Sequence, residues 1–190
     1  LRETGLGGEG GRLPPPLLQK GNSPLMEKKR VDHSAFPAEY DADAEILILG
    51  SIPSPISREE GFYYANPRNR FWRVLSAVFE EPLPKTTEER KDFVHRHHIA
   101  LWDALSSCLI SGASDSSIED PVPTDIPELL KRTKIRRIYC SGRAAQRFYE
   151  KLSYPRTGLH SRLLPSTSPA NCALSLERLI EEYRVIREES

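Results

Sequence analysis

Three short apolar runs, each closed by a turn and separated by stretches of helical spacing, constrain the fold of this chain more than any other feature. The first is Ala44 to Leu49, closed by Gly50. The second is Ile99 to Leu105, IALWDAL, and the third is Ile135 to Cys140, IRRIYC, closed by Ser141 and Gly142. Apolar runs of this length suit strands covered on both faces. Between the first two, Phe71, Val74, Leu75 and Val78 recur at helical spacing within Arg70 to Phe79, and Pro82 stops the pattern. Thr86 and Glu89 have the spacing of a capping box, which predicts a second helix running to about His98. Asp125 with Pro127 in the first turn predicts a short helix. Ala144, Ala145, Phe148 and Leu152 mark an amphipathic helix after the third strand. Ser161 to Leu164 reads as a weaker fourth strand, and Leu176, Leu179, Ile180, Tyr183 and Ile186 line a closing helix.

Strands alternating with helices predict an α/β sandwich with a short, mostly parallel central sheet. Such sheets bind ligands beyond the carboxyl ends of their strands. Those ends are GSIPS, Trp102-Asp103, CSGR and PSTSPAN. Met26 is the only methionine, and Glu-Lys-Lys-Arg follows it. Residues 1–25, rich in Gly, Pro and Leu without period, are therefore expected to be upstream or cloning-derived sequence, and residues 26–190 one domain.

Composition removes several function classes. No apolar run is long enough to cross a membrane. Cys108, Cys140 and Cys172 are scattered and odd in number, so neither a disulfide framework nor a CxxC metal site is encoded, and a four-thiolate iron-sulfur cluster is excluded. A reducing cytoplasm is the expected compartment. His95, His97 and His98 cluster at the end of a charged helix without a second ligand group at suitable spacing, which reads as surface rather than a metal site. No GxGxxG or GxxxxGK[ST] cradles a nucleotide cofactor, so neither metal nor cofactor is expected.

The formal net charge is zero, which argues against indiscriminate coating of nucleic acid. Its distribution is uneven. Lys134 to Arg162 holds eight Lys or Arg and the single acid Glu150. Such a stretch is either a solvated face or one that docks on phosphates.

The segment Gly61 to Trp72, GFYYANPRNRFW, compresses five of the fifteen aromatics around Asn66, Pro67, Arg68 and Asn69. Phe71 and Trp72 have the periodicity of core residues. Phe62, Tyr63 and Tyr64 lie in non-periodic sequence, where aromatic faces either pack into the core or stack on bases. Asn69 either caps the following helix or turns a neutral amide to the cleft. Arg68, Arg70 and Arg73 flank it within reach of phosphates.

GSIPS, FYYANPRNRFW, IALWDAL, SDSSI and STSPAN, in this order, resemble the hypoxanthine-DNA glycosylase branch of the uracil-DNA glycosylase superfamily over about Ser34 to Tyr183. The resemblance implies a three-layer α/β/α sandwich and removal of deaminated bases, chiefly hypoxanthine, from DNA. It gives Asn69 the role of that branch's catalytic asparagine. It makes Gly50 to Ser54 the first motif, beneath the scissile sugar and base. Ser166, Thr167, Ser168, Pro169, Ala170 and Asn171 become the loop pressed into the minor groove. Asp103 takes the place of a base-recognising amide. Two departures stand out: Ser51, Ile52 and Pro53 replace the acidic or amide residue of many relatives, and Ser166 stands where uracil-specific enzymes begin their second motif with histidine.

A glycosylase of this kind must extrude its nucleotide, place a water and stabilise the departing base. The expected division of labour has Asn69 positioning the water. Backbone N–H groups at Ser51 and Ile52, behind Gly50, receive the base oxygen. Phe62 or Tyr63 stacks on the base, and Asp103 accepts its N–H unless it instead caps the turn that follows. Arg68, Arg70 and Arg143 meet the DNA with the STSPAN loop. His160 is a substitute for the missing histidine or a surface residue. A monomer acting on DNA with deaminated bases is expected. The rivals are a mismatch-directed uracil glycosylase on the same fold and a module that binds damaged DNA without cutting it.

Overall fold

A computed structural model describes residues 27–188. The expected leader, residues 1–25, lies outside them. In chain order the elements are β1 Lys29–Asp32, β2 Ile46–Gly50, α1 Pro55–Glu60, α2 Phe71–Phe79, α3 Thr87–Arg96, β3 Ile99–Asp103, β4 Leu105–Ile110, β5 Glu119–Pro123, α4 Ile126–Arg132, β6 Arg137–Ser141, α5 Arg143–Phe148, α6 Tyr154–Thr157, β7 Ser161–Leu164, α7 Leu176–Tyr183 and α8 Val185–Glu188. A single 3-10 turn, Asp115–Ser117, precedes β5, and a π turn, Tyr149–Ser153, joins α5 to α6.

The central sheet has the order β3-β2-β6-β7, and every pairing in it is parallel. Its strands are the three that the apolar runs predict and the weaker fourth expected at Ser161 to Leu164. β2 is buried at all five positions, because its side chains alternate between two cores. Ile46 and Ile48 face one core with Phe71, Trp72, Leu75, Phe93 and Tyr183. Leu47 and Leu49 face the other with Leu105, Ile126, Phe148 and Tyr149. Helices cover both faces, giving the layered α/β arrangement expected of the sequence.

Local signals account for several element ends. Thr86 and Glu89 form the complete capping box at the start of α3. Pro127 occupies the first turn of α4, but Asp125 makes no side-chain cap and instead pairs with Arg156 at 3.2 Å. The helix expected after β6 is interrupted by the π turn at Tyr149. There the Tyr149 hydroxyl, donating to the Leu159 carbonyl at 2.6 Å, ties the chain down before β7.

Two features were not legible in the sequence. The short helix α1 follows GSIPS directly, with Ser54 accepting from the Ser57 N–H as its cap and Pro55 in the first turn. The second apolar run also does not end in a turn. After Asp103 the chain re-enters extended structure as β4, which pairs antiparallel with β1 and β5 in a separate three-stranded sheet. β1 is polar and β5 carries two prolines, so neither has the alternation that identifies a half-buried strand.

Candidate active site

The carboxyl ends of the parallel strands converge on one pocket. Gly50 ends β2, Asp103 ends β3, Ser141 ends β6, and Ser166 lies just beyond β7; all four line it, with Ser51, Ile52, Asn66, Asn69, Thr167 and Ser168. This is where an open parallel sheet presents ligand-binding loops.

At Gly50, a Cβ would run into Asp103 Oδ1, so only glycine lets this carboxylate lie against the strand end. Asp103 is 5 % exposed. Its Oδ2 meets His33 Nε2 at 2.8 Å, and the Nδ1–H of His33 donates to the Phe36 carbonyl at 2.9 Å. Thr124 Oγ1 donates to the Asp103 carbonyl at 2.7 Å, fixing the backbone from the opposite side. The alternative in which Asp103 caps a following turn is therefore not realised: β4 follows it, and its side chain turns to His33.

Burial pulls the His33 imidazole down, but the hydrogen bond and charge of Asp103, with the Phe36 carbonyl, outweigh it and hold His33 above the ordinary histidine value. Across the pocket, Ser51 Oγ donates to Asp115 Oδ1 at 2.7 Å. Desolvation against the pocket wall lifts the Asp115 carboxyl above its usual range, with the Asp103 charge adding to the rise and the Ser51 bond opposing it.

The aromatic segment divides differently from expectation. Phe62 is 3 % exposed and does not line the pocket; its ring lies 6.1 Å from Trp72 within the core. Its expected role as a platform for a base is corrected to packing, since no face of the ring remains open. Tyr63 does line the pocket, but it is equally buried, and its hydroxyl donates to the Pro37 carbonyl at 3.0 Å. Burial raises both the Tyr63 and Tyr64 hydroxyls well above the ordinary tyrosine value. Tyr64 takes a left-handed backbone conformation, φ 52, and stacks on Phe71 at 3.7 Å, with its ring part of the pocket wall. A non-glycine residue held there is characteristic of a turn fixed by its surroundings.

Asn69 is tied into the fold. Its Oδ1 accepts from the Phe71 N–H at 2.9 Å and from Thr167 Oγ1 at 2.8 Å. Both lone pairs of the amide oxygen are thus occupied, and Nδ2 is the end it offers to the pocket. Asn66 Oδ1 accepts once, from the Arg68 N–H at 3.0 Å.

The second loop is held by the same segment. The Arg70 N–H donates to the Thr167 carbonyl at 3.1 Å, and its guanidinium donates to the carbonyls of Leu174 and Asn171. Arg70 therefore clamps the 166–174 loop with two of its five guanidinium donors. Asn171 closes the loop by donating to the Ser166 carbonyl at 2.8 Å. Thr167 is 1 % exposed, whereas Pro169 and Ala170 project outward.

Arg68 and Arg143 are exposed. Three cations of the basic stretch pair with acids elsewhere in the chain: Lys134 with Asp43, Arg136 with Glu45 and Arg156 with Asp125. His95 meets Glu39 at 2.7 Å and His97 meets Glu81 at 2.7 Å, while His160 is exposed beside Glu150. No helix among the described residues is long and apolar enough to cross a membrane.

Sequence reasoning missed His33, Phe36, Asn66 and Asp115. His33 and Phe36 lie in a polar segment without a motif, and only the antiparallel pairing of β1 with β4 carries His33 to Asp103. Asp115 belongs to SDSSI, a stretch noted for its order along the chain but given no role.

Comparison with known proteins agrees with this geometry. Residues 37–184 match the sequence model of the Uracil DNA glycosylase superfamily. A Methanosarcina acetivorans protein named Hypoxanthine DNA glycosylase is 37% identical over 154 residues, covering 80% of this chain and 96% of that protein. A Methanosarcina barkeri protein of the same name is 37% identical over 86 residues, 45% of this chain and 54% of the other. The solution NMR structure of a uracil DNA glycosylase candidate from Methanosarcina acetivorans superimposes with a TM-score of 0.67 at 34% identity, covering 80% of this chain and 96% of that one. With GSIPS, Asp103, Ser141 and residues 166–168 gathered around one pocket at the ends of a parallel sheet, the chain belongs to the uracil DNA glycosylase superfamily.

Proposed function

We propose that this protein is a DNA-deoxyinosine glycosylase, which extrudes a deaminated base, chiefly hypoxanthine, and hydrolyses its N-glycosidic bond to begin base-excision repair. The observation that carries this reading is the buried carboxylate of Asp103, held against Gly50 on the wall of a pocket that Asn66 and Asn69 also line. Hypoxanthine has an N1–H where adenine has an acceptor, so a carboxylate there accepts from the damaged base and repels the normal one. The names of the Methanosarcina relatives agree with this choice.

Extrusion costs a few kcal/mol of stacking and is cheapest for a poorly paired base. Exposed Arg68 and Arg143 meet phosphates, and the 166–171 loop, with Pro169 and Ala170 at its outer edge, enters the minor groove. Cleavage passes through an oxocarbenium-like sugar and requires a water with one lone pair directed at C1′. Asn69 Nδ2 donates to that water. Asn66 Oδ1, with a lone pair to spare, accepts from it. An amide does not ionise in this range, so the two asparagines orient the water rather than deprotonate it. Backbone N–H groups at Ser51 and Ile52 receive the oxygen of the departing base, and Tyr63 and Tyr64 bound the pocket beside it. The protein works as a monomer on DNA in the cytoplasm and needs neither metal nor cofactor.

The test incubates the full chain with duplexes carrying hypoxanthine, uracil or xanthine, without added metal, and assays alkali-sensitive abasic sites. Release of hypoxanthine ahead of uracil is expected. Release of uracil alone, from mismatches, would establish the mismatch-directed rival, and retarded DNA without abasic product would establish a binding module.

A further inference from the structure

His33 lies outside the motifs that carry the proposed chemistry, and the hydrogen-bonding logic of its pair with Asp103 is unusually constrained. The Phe36 carbonyl can only accept, so the His33 Nδ1 2.9 Å away carries a proton. His33 Nε2 and Asp103 Oδ2, 2.8 Å apart, hold one further proton between them. Their side chains are 6% and 7% exposed, so water does not compete for that proton. When it resides on the imidazole, Asp103 is purely an acceptor, and its second oxygen lies against Gly50 on the pocket wall.

We propose that His33 is a positioning residue: its imidazolium, held between the Phe36 carbonyl and Asp103 Oδ2, keeps Asp103 an anionic acceptor whose Oδ1 selects bases bearing the N–H that deamination creates. Adenine and cytosine have acceptors at N1 and N3, where hypoxanthine and uracil have N–H groups, so one fixed acceptor separates deaminated bases from their parents. This rests on the glycosylase reading given above.

The groups facing the pair agree with that assignment. The ring of Tyr63 lies 5.9 Å from the imidazole and that of Phe36 5.0 Å, which excludes solvent. Asp32, which precedes His33 at the end of β1, accepts from Ser34. Arg58 of α1 acts on Asp32 through its charge, and Tyr64, Tyr63 and Asp115 are each coupled to the charge of Asp103. His33 hydrogen-bonds the Asp103 carboxylate at Oδ2.

Two variants and one spectrum test this. In His33→Gln the amide can donate to Asp103 without charge or titration; in His33→Phe it cannot donate at all. Single-turnover release of hypoxanthine is followed from about pH 5 to pH 8, a range that brackets histidine titration and stays below ionisation of the substrate's own N1–H, alongside binding to a duplex with a tetrahydrofuran abasic analogue, which has no base to read. The wild-type rate is expected to fall as pH rises through the His33 titration, because the neutral ring keeps its proton directed at the Phe36 carbonyl and turns a lone pair toward Asp103, which it then no longer holds in place. His33→Gln retains activity within about tenfold and loses that alkaline limb, whereas His33→Phe loses about 100-fold or more of release while binding the abasic analogue normally.

Persistence of the limb in His33→Gln, or an equal loss of analogue binding in His33→Phe, would overturn the proposal. Histidine ring 15N NMR of the full chain separates it from the glycosylase reading. Both ring nitrogens of His33 are expected to be protonated at neutral pH, and a neutral ring there refutes the pair's assignment even if base release is intact. A doubly protonated ring in a protein that releases no base would instead refute the glycosylase reading.

Discussion

Thr167 Oγ1 donates to Asn69 Oδ1 at 2.8 Å, and this bond joins the loop proposed to hold the water to the loop proposed to enter DNA. Asn69 is thereby both a member of the pocket and part of its frame. Asn69→Ala removes two hydrogen bonds at once. It is expected to lower stability by about 1–3 kcal/mol and to reduce base release from inosine duplexes at least about 100-fold while duplex binding survives. Turnover at the wild-type rate would take Asn69 out of the chemistry. Thr167→Val keeps the shape and removes only the hydroxyl; it should cost about 1 kcal/mol by denaturant titration and slow release by about tenfold, because the amide is no longer held in one orientation.

Asp103→Asn replaces an acceptor-only group with one that can also donate. Hypoxanthine release should fall, and the ratio of hypoxanthine to uracil release should change, measured by parallel single-turnover assays. An unaltered ratio would make Asp103 scaffold.

Gly50→Ala tests the close approach at the end of β2. The added methyl meets the Asp103 carboxylate, so the side chain must shift away from the pocket wall. Release is expected to drop about tenfold or more, with a smaller effect on binding to an abasic analogue. Full activity would show that the carboxylate position is not critical.

Phe62→Leu should behave as a core substitution. The expected outcome is a loss of about 1–3 kcal/mol in stability with the same apparent affinity for inosine duplexes. A selective rise in KM would return Phe62 to the base-binding surface.

The buried pair also links stability to pH. His33 is held above its ordinary value of 6.5 in the folded protein, so folding takes up a proton near neutrality. Its stabilising contribution is complete below about pH 6.5 and disappears as pH rises through the higher folded-state value. Chemical denaturation at mildly acidic and mildly alkaline pH should show the difference, and His33→Gln should remove it.

The parallel strands, the capping box at Thr86 and the position of the pocket were all legible in the sequence. Each depends on contacts within one stretch of chain or on a general rule about strand ends. The core assignment of Phe71 and Trp72 was legible for the same reason. Phe62 was ambiguous because an aromatic residue in non-periodic sequence gives no sign of which way its ring turns. Arg70 was read as a phosphate ligand because a guanidinium beside a loop looks the same whether it faces solvent or a carbonyl 101 residues away. The antiparallel sheet was invisible because its strands are short, polar or proline-bearing and pair only through β4. With that sheet went the partner of Asp103.

That partner comes from the end of β1 at Asp32, and the superfamily match begins at residue 37. His33 thus lies just before the residues that the superfamily model matches, and under the proposed function it acts on Asp103 from there. If His33 sets the charge of Asp103 as proposed, exchanging the flank around residue 33 alone should shift base preference while the parallel sheet and the loops at its strand ends stay in place.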